Sequence, residues 1–373
     1  ITLTAARNSW TFRLPDAEAL LADRQRITVL SPLEDSVADL AALGSRVLPL
    51  TMRAKGLNPA EGLMLLRQFK TVFRRERPDV ILSYTIKNNI FGAMAAHSLD
   101  IPFVPNVSGL GTAFLSGGVL QAVAEGLYRR AFAPLPRVFF QNEDDRDFFL
   151  ERNLLEPDQA HVLPGSGIDL ERFAATDYPP EDEAPVFLMI ARLLRDKGVL
   201  EYVEAARQIK IDYPQAHFQL LGEVDAANRT AIDAATVKTW EADGIIEYLG
   251  TTADVRPHIA AAHCAVLPSY REGAPRTLIE AAAMARPLIA TDVPGCRHVV
   301  ADGVTGYLCK VRDSASLAGA VARFLGLSPA DRAAMGRAGR AKMEAGFDQA
   351  IVVQAYRDAI AEDAFQPRQE IPA

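Results

Sequence analysis

The sequence predicts an α/β protein made of two doubly wound domains. Short apolar runs alternate with longer stretches of helical periodicity along the whole chain, the pattern of strand–helix–strand units and parallel sheets. Several runs carry Val, Ile and Phe on consecutive rather than alternate positions, as strands covered on both faces do. Size is the third observation: 373 residues, 49% hydrophobic and 23% charged, suffice for two full cores at roughly 150 residues per domain.

In chain order, strands are expected at 1–5, 26–32, 46–51, 79–84, 102–109, 137–142 and 161–165, with helical patterns such as 57–77 and 87–99 between them. The second half repeats the theme at 186–193, 217–222, 245–250, 264–269, 287–293 and 306–310. Between the halves, GSGIDLERFAATDYPPEDEAP (165–185) gathers glycine, proline and acids without apolar periodicity, the composition of a linker. The expected organisation is therefore an N-terminal domain at 1–164, a linker at 165–185, a C-terminal domain at 186–346 and a final helical segment at 347–373. Two such domains form a central cleft, with ligands held at the carboxyl ends of the strands.

Charge and cysteine usage exclude several function classes. Acids outnumber bases 47 to 40, and a formal charge of −7 argues against a general nucleic-acid binder. Cys264, Cys296 and Cys309 are odd in number and confined to the second half, which fits a reducing compartment rather than a disulfide framework. Cys-x-x-Cys is absent and the six histidines are scattered, so no metal site is expected. Asp145 and Asp147 formally match a D-x-D metal pattern, but QNEDDRDFFLERN opens a helix, where acids favour the positive end of the dipole. Apolar runs stay short of the roughly 18 residues that a membrane helix requires. ITLTAARNSW lacks the layout of a signal peptide; the expectation is a cytoplasmic protein, trimmed because no initiator methionine is present.

Chemistry concentrates in PSYREGAPRTLIEAAAMARPLIATDVPG (268–295). A strand ends, a loop carries Glu272, and a helix from Arg276 carries Glu280 eight positions later. Gly273, Ala274 and Pro275 stand at the helix start, where backbone N–H groups favour an anion. One carboxylate can thus face a ligand's hydroxyls while the helix end faces its phosphate, and Glu280 can accept from a second hydroxyl pair. Upstream, Arg192 and Lys197 follow the strand 186–193 across a short loop. Two fixed cations there suit a phosphate group when read beside the downstream glutamates, although such a basic string alone is commonly a solvated turn. GSG (165–167) and GLGTAF (109–114) are only partial G-x-G patterns, so a nicotinamide cofactor is not expected.

The same stretch resembles the E-x7-E signature of the family 4 retaining glycosyltransferases, with "PSxxEGxP", helix and "PxIATD" in order. LPGSGIDLERF (163–173) resembles the family's "PNGVDxxxF", ARLLRDKG (191–198) its "GRLxxxKG", and VPGCRHVVADGVTGYL (293–308) its "xGGxxExVxDGxxGxL". SYTIKNNIFGAMAAHSLDIPFVPNVSGLGTAFL (83–115) is similar to the bacterial subgroup that extends polyprenyl-diphosphate-linked sugars, such as N-acetylgalactosaminyltransferases.

The resemblance implies a GT-B fold, two Rossmann-like domains facing a central cleft, with the final helix crossing back to the first domain. It implies a UDP-sugar co-substrate (an N-acetylhexosamine or hexose donor), no other cofactor and no metal. Glu272 is then expected to hold the donor sugar, Glu280 the ribose, and Arg192 with Lys197 the diphosphate. Gly273, Ala274, Pro275, Arg276, Thr277, Leu249 and Gly222 complete the nucleotide pocket. Transfer proceeds with retention and without a protein nucleophile, the donor diphosphate taking the acceptor proton. The family's first-domain histidine has no counterpart in NVSGLGT (106–112). On the acceptor side, Arg13 and Lys87 are candidates for a lipid diphosphate, and Gly109 and Gly111 for close backbone approach.

Residues 53–77 hold seven bases and two acids. Leu63, Leu66, Phe69, Val72 and Phe73 recur at helical spacing beside Arg67, Lys70 and Arg74, a basic amphipathic helix suited to an anionic lipid surface. The location this predicts is the inner face of the plasma membrane, peripherally bound. Two other functions fit the same residues: a GT-B sugar-nucleotide epimerase and a silent nucleotide-sugar-binding partner.

Overall fold

The computed structural model describes residues 2–3, 14–31, 43–50, 59–110, 118–180, 182–224, 228 and 230–364. The chain forms two compact units: residues 1–167 with 349–373, and residues 168–348.

In the first unit, β1 (Thr2–Leu3), β2 (Thr28–Ser31), β3 (Arg46–Pro49), β4 (Ile81–Tyr84), β5 (Phe103–Val107), β6 (Val138–Phe140) and β7 (Ala160–Val162) pair in the order β3-β2-β1-β4-β5-β6-β7, all parallel. Parallel neighbours need a crossover rather than a tight turn. The described crossovers carry α1 (Leu14–Ala22), α2 (Pro59–Glu76), α3 (Ala93–His97), α4 (Gly118–Phe132) and α5 (Glu143–Glu151), and a π-helical turn, Asn88–Gly92, leads into α3. Leu65, Phe69 and Phe73 of α2 share one core with Tyr128, Phe132 and Phe149. Leu63 and Met64 instead face outward, 49% and 55% exposed, so the buried stripe of this helix runs through Leu65 rather than Leu63. Residues 53–58 of the basic segment, with Arg13 and Gly111, lie outside the described residues. The acids of the D-x-D pattern belong to the start of α5. Asn142 accepts from the Asp145 N–H at 2.8 Å, Asp145 is buried, and Asp147 pairs with Arg146 at 2.8 Å.

In the second unit, β8 (Val186–Ile190), β9 (His217–Leu221), β10 (Glu247–Tyr248), β11 (Cys264–Leu267), β12 (Leu288–Thr291) and β13 (Gly306–Cys309) pair in the order β10-β9-β8-β11-β12-β13, again all parallel. Its helices are α6 (Val199–Asp212), α7 (Ala234–Ala242), α8 (Arg256–Ala261), α9 (Arg276–Ala283), α10 (Cys296–Val299), α11 (Ser314–Leu325) and α12 (Pro329–Gly346). Strands β8, β11 and β12 are almost wholly buried, matching their unbroken apolar runs. The last helix, α13 (Gln349–Ala364), belongs to the first unit. There Tyr356 packs on Phe139 and Tyr84, and its hydroxyl accepts from the buried Asn106 amide at 2.9 Å.

The linker expectation needs correction. Ile168 and Phe173 are buried in the second unit's core. The wholly buried Arg286 donates to the carbonyls of Thr176, Asp177, Ile259 and Ala260 and to the Thr176 hydroxyl, at 2.6–3.2 Å. Arg340 donates to the carbonyls of Leu170 and Phe173. Residues 168–180 are thus a clamped strap of the second unit. Their composition showed only that they form no helix or strand, since the arginines that hold them lie more than 100 positions away.

His263 extends this clamp. It is 3% exposed, and its Nδ1 accepts from the Val186 N–H at 3.1 Å, which requires a neutral ring. Burial, with Arg332 and Arg286 nearby, holds its pKa down at about 4, against about 6.5 in an unfolded chain. Unfolding therefore takes up a proton between those values. Stability is full above about pH 6.5 and falls on acidification toward pH 4, by about 3 kcal/mol at most. Urea midpoints at pH 7 and pH 4.5 are expected to separate more in the wild type than in His263→Gln; equal separations would show that another group sets the slope.

Candidate functional site

Both sheets reverse their strand order beside their first strand, β1 in one unit and β8 in the other. At such a switch point the loops leaving two neighbouring strands part in opposite directions and open a crevice at the carboxyl edge. In the second unit those strands are β8 and β11, and their loops carry Arg192 with Lys197, and Glu272, respectively.

The two loops are joined side chain to side chain. Lys197 Nζ lies 2.5 Å from Glu272 Oε1, both largely shielded from solvent. Backbone contacts align them independently of charge: the Asp196 carbonyl accepts from the Tyr270 N–H at 2.9 Å and from the Ser269 hydroxyl at 3.2 Å. The Tyr270 hydroxyl donates to Glu201 at 2.7 Å, beneath the Arg312 guanidinium; burial first, then Glu201, pushes that phenol up to about 12.

Two glycines set the spacing. Gly198, at φ +77°, ends the 191–198 loop so close to β11 that a Cβ would stand 2.0 Å from the Pro268 carbonyl oxygen. Gly295, at φ +79°, lies against the glutamate loop, where a Cβ would meet the carbonyl oxygens of Gly273 and Glu272 at 2.5 and 2.7 Å. Neither position accepts a side chain without moving the loop.

Pro275 caps α9 without a side-chain bond, and Ala274, Arg276 and Thr277 are half-buried around this helix start. Glu280, one turn in and 8% exposed, receives the Arg276 guanidinium at 2.8 Å. Burial pushes the Glu280 carboxyl up, and Arg276 pulls it partly back. Arg276 therefore sits on the glutamate as well as at the helix start. On the other side of β8, Gly222 ends β9 at φ +154° with its Cα against the Ala191 carbonyl, and Leu249 follows β10, its N–H on the Leu220 carbonyl at 2.9 Å. Arg192 is exposed at the start of the β8 loop.

In the first unit, Lys87 follows β4 and lies 3.8 Å from Glu61, with its side chain 14% exposed. Gly109, at φ +139°, follows β5. Among the described residues no group of three or more His, Cys, Asp or Glu is arranged to hold a metal ion, and no helix is long and apolar enough to cross a membrane.

The family model for "Glycosyl transferases group 1" matches residues 184–326, and that for "Glycosyl transferase 4-like domain" matches residues 11–165. The chain belongs to the family 4 glycosyltransferases. It is 28% identical over 338 residues, 86% of this chain and 87% of the relative, to the Campylobacter jejuni N,N'-diacetylbacillosaminyl-diphospho-undecaprenol alpha-1,3-N-acetylgalactosaminyltransferase. It is 24% identical over 264 residues, 68% of this chain and 67% of the relative, to the Escherichia coli UDP-Gal:alpha-D-GlcNAc-diphosphoundecaprenol alpha-1,3-galactosyltransferase. The fold matches that of Anabaena HepE, solved with UDP and glucose, at a TM-score of 0.78 and 19% identity over 97% of this chain and 98% of that one. The GT-B fold is thereby established, and the enzyme is a transferase; nothing in these likenesses supports the epimerase alternative.

Sequence reading missed the transferase's loop-setting residues Gly198, Gly295, Ser269 and Tyr270. The signal available was "KG" and "PG" flanking the two loops, which mark turns but not the strand that each turn touches. Gly295→Ala is expected to displace the glutamate loop, costing about 1–3 kcal/mol of stability and at least about tenfold in turnover, although the residue carries no functional group. Lys197→Ala is expected to lower turnover by about 10²–10³-fold at nearly unchanged Tm. Steady-state kinetics with thermal melts check both; a Gly295→Ala enzyme of normal turnover would refute the spacing argument.

Proposed function

We propose that this enzyme transfers a sugar, with retention, from a UDP-sugar to an N-acetylated sugar carried on a polyprenyl diphosphate, in surface-polysaccharide or glycoprotein-glycan assembly. The observation that carries the reading is the Lys197–Glu272 pair at the switch point of the second unit. The ammonium stands where charge develops on the departing diphosphate, and the carboxylate it holds is an acceptor for the donor's hydroxyls. Without donor the two satisfy each other. With donor bound, a phosphate oxygen takes the carboxylate's place at Lys197, with Arg192 beside it, and Glu272 turns to the sugar. Glu280 receives the ribose, and the α9 start with Gly222 and Leu249 encloses the nucleotide. The leaving phosphate oxygen takes the acceptor hydroxyl's proton on the face where the new bond forms, so the step uses no metal and no protein nucleophile. Support for the acceptor comes from the two bacterial relatives, whose names specify N-acetylated sugars on diphospho-undecaprenol.

Incubation with a panel of UDP-sugars and a short-chain N-acetylglucosaminyl diphosphate lipid is expected to give a new α-linkage by NMR, equally in EDTA. Donor epimerised without acceptor, or no product with any donor, would refute the transferase reading of this substrate pair.

The acceptor class implies work at a membrane surface, and α2 supports it. Its outward Leu63 and Met64 stand beside Arg67, Lys70 and Arg74, one apolar tip among cations, each base adding about 1 kcal/mol near anionic lipid. Flotation with phosphatidylglycerol vesicles is expected to carry the protein at low salt, and an Arg67→Glu, Lys70→Glu, Arg74→Glu variant to stay behind. Equal flotation of both would move the membrane contact elsewhere.

A further inference from the structure

We infer that Asn88 in the first unit is a specificity-determining residue that reads the acetamido group of the acceptor sugar; this rests on the acceptor class proposed above. The segment Thr85–Gly92 leaves β4, one of the two strands at the first unit's own switch point, where a Rossmann-like sheet places its ligand.

Two consecutive buried asparagines there are treated in opposite ways. Asn89 is fully used: its Oδ1 accepts from the Ser83 hydroxyl at 2.8 Å and its Nδ2 donates to the Asn106 carbonyl at 2.9 Å. Asn88 is 0% exposed, yet neither its Oδ1 nor its Nδ2 has a hydrogen-bond partner. The Thr85 hydroxyl, three positions earlier in the chain, is also buried and unpartnered. A buried amide with both ends unmet is a standing cost that an apolar residue of the same size would avoid.

The backbone points the same way. Thr85 is β-branched yet holds φ +75°, and Asn88 begins a π-helical turn; strain and π-turns of this kind gather at functional sites. A segment already strained and unsatisfied opens at less cost when a ligand supplies the missing bonds.

The chemistry selects the ligand. A side-chain amide presents one acceptor and one donor side by side, and its complement presents a donor and an acceptor side by side. An acetamido N–H and C=O do so. A phosphate offers acceptors alone and would leave Oδ1 unmet.

Calorimetry with two short-chain lipid diphosphates, one bearing N-acetylglucosamine and one bearing glucose, tests the inference. The wild type is expected to bind the acetamido form at least about tenfold more tightly, the worth of one well-made hydrogen-bond pair. Asn88→Leu, which keeps the branched skeleton with methyls in place of the amide, is expected to fold, bind UDP equally well and lose the discrimination. Asn88→Ala repeats the test should the leucine variant fold poorly. Discrimination intact in a folded variant overturns the inference and leaves the acceptor class standing, as does a wild type that binds both lipids equally. A wild type that binds neither overturns the acceptor class, and the role of Asn88 with it.

Discussion

Every feature of the functional site depends on the parallel pairing of the strands. A parallel neighbour cannot be reached by a hairpin, so the chain must cross over each sheet and return, and all carboxyl ends gather along one edge. In the second unit that rule sets the loops after β8 and β11 side by side, although Lys197 and Glu272 are 75 positions apart. The same rule in the first unit sets Thr85 and Asn88 at its switch point. Polar groups within the buried strands, such as Ser83, Asn106 and Thr291, are tied up in internal hydrogen bonds, so groups available to a ligand gather where the strands end.

Within the site, alignment and charge are separate duties. For a largely shielded ion pair such as Lys197–Glu272, desolvation offsets much of the Coulomb attraction, so the pair alone is a weak means of positioning two loops. Neutral contacts do that: Ser269 and Tyr270 on the Asp196 carbonyl, the Thr291 hydroxyl on the Ser269 carbonyl, and two glycines pressed against neighbouring backbone. The loops therefore keep their alignment without depending on the pair, as the proposed exchange of its partner for a ligand requires. Arg276 and Glu280 are paired in the same manner one turn further on, in deeper burial.

Buried polar groups elsewhere fix parts of the chain that have no regular structure or come from far away. Arg286 spends its guanidinium donors on carbonyl and hydroxyl oxygens, and burial holds it down at about 10, still cationic at neutral pH. Removing it would strand those carbonyls without donors, which is why a proline-rich, acidic stretch packs as a strap. Asn106 and Tyr356 play the equivalent part for the last helix in the first unit. Such networks specify one arrangement because each alternative leaves a buried group unpaired.

Much of this was legible in one dimension. Apolar runs located all thirteen described strands, because burial on both faces writes itself into consecutive residues. The two glutamates and the basic loop stood out through the turn residues around them, and the roles proposed for them rest on family resemblance. Strand ends were read a few residues long, since an apolar run continues into the loop while the ladder stops. What composition could not tell was partnership at a distance. Residues 168–180 looked like a linker because Arg286 and Arg340 lie far along the chain, and Leu63 looked like core because periodicity gives a face but not the side the sheet is on. Asn88 and Asn89 are indistinguishable as letters; the fold gave one of them Ser83 and Asn106 and left the other with neither. Local pattern thus decides where elements form, and only packing decides which polar group finds a partner within reach.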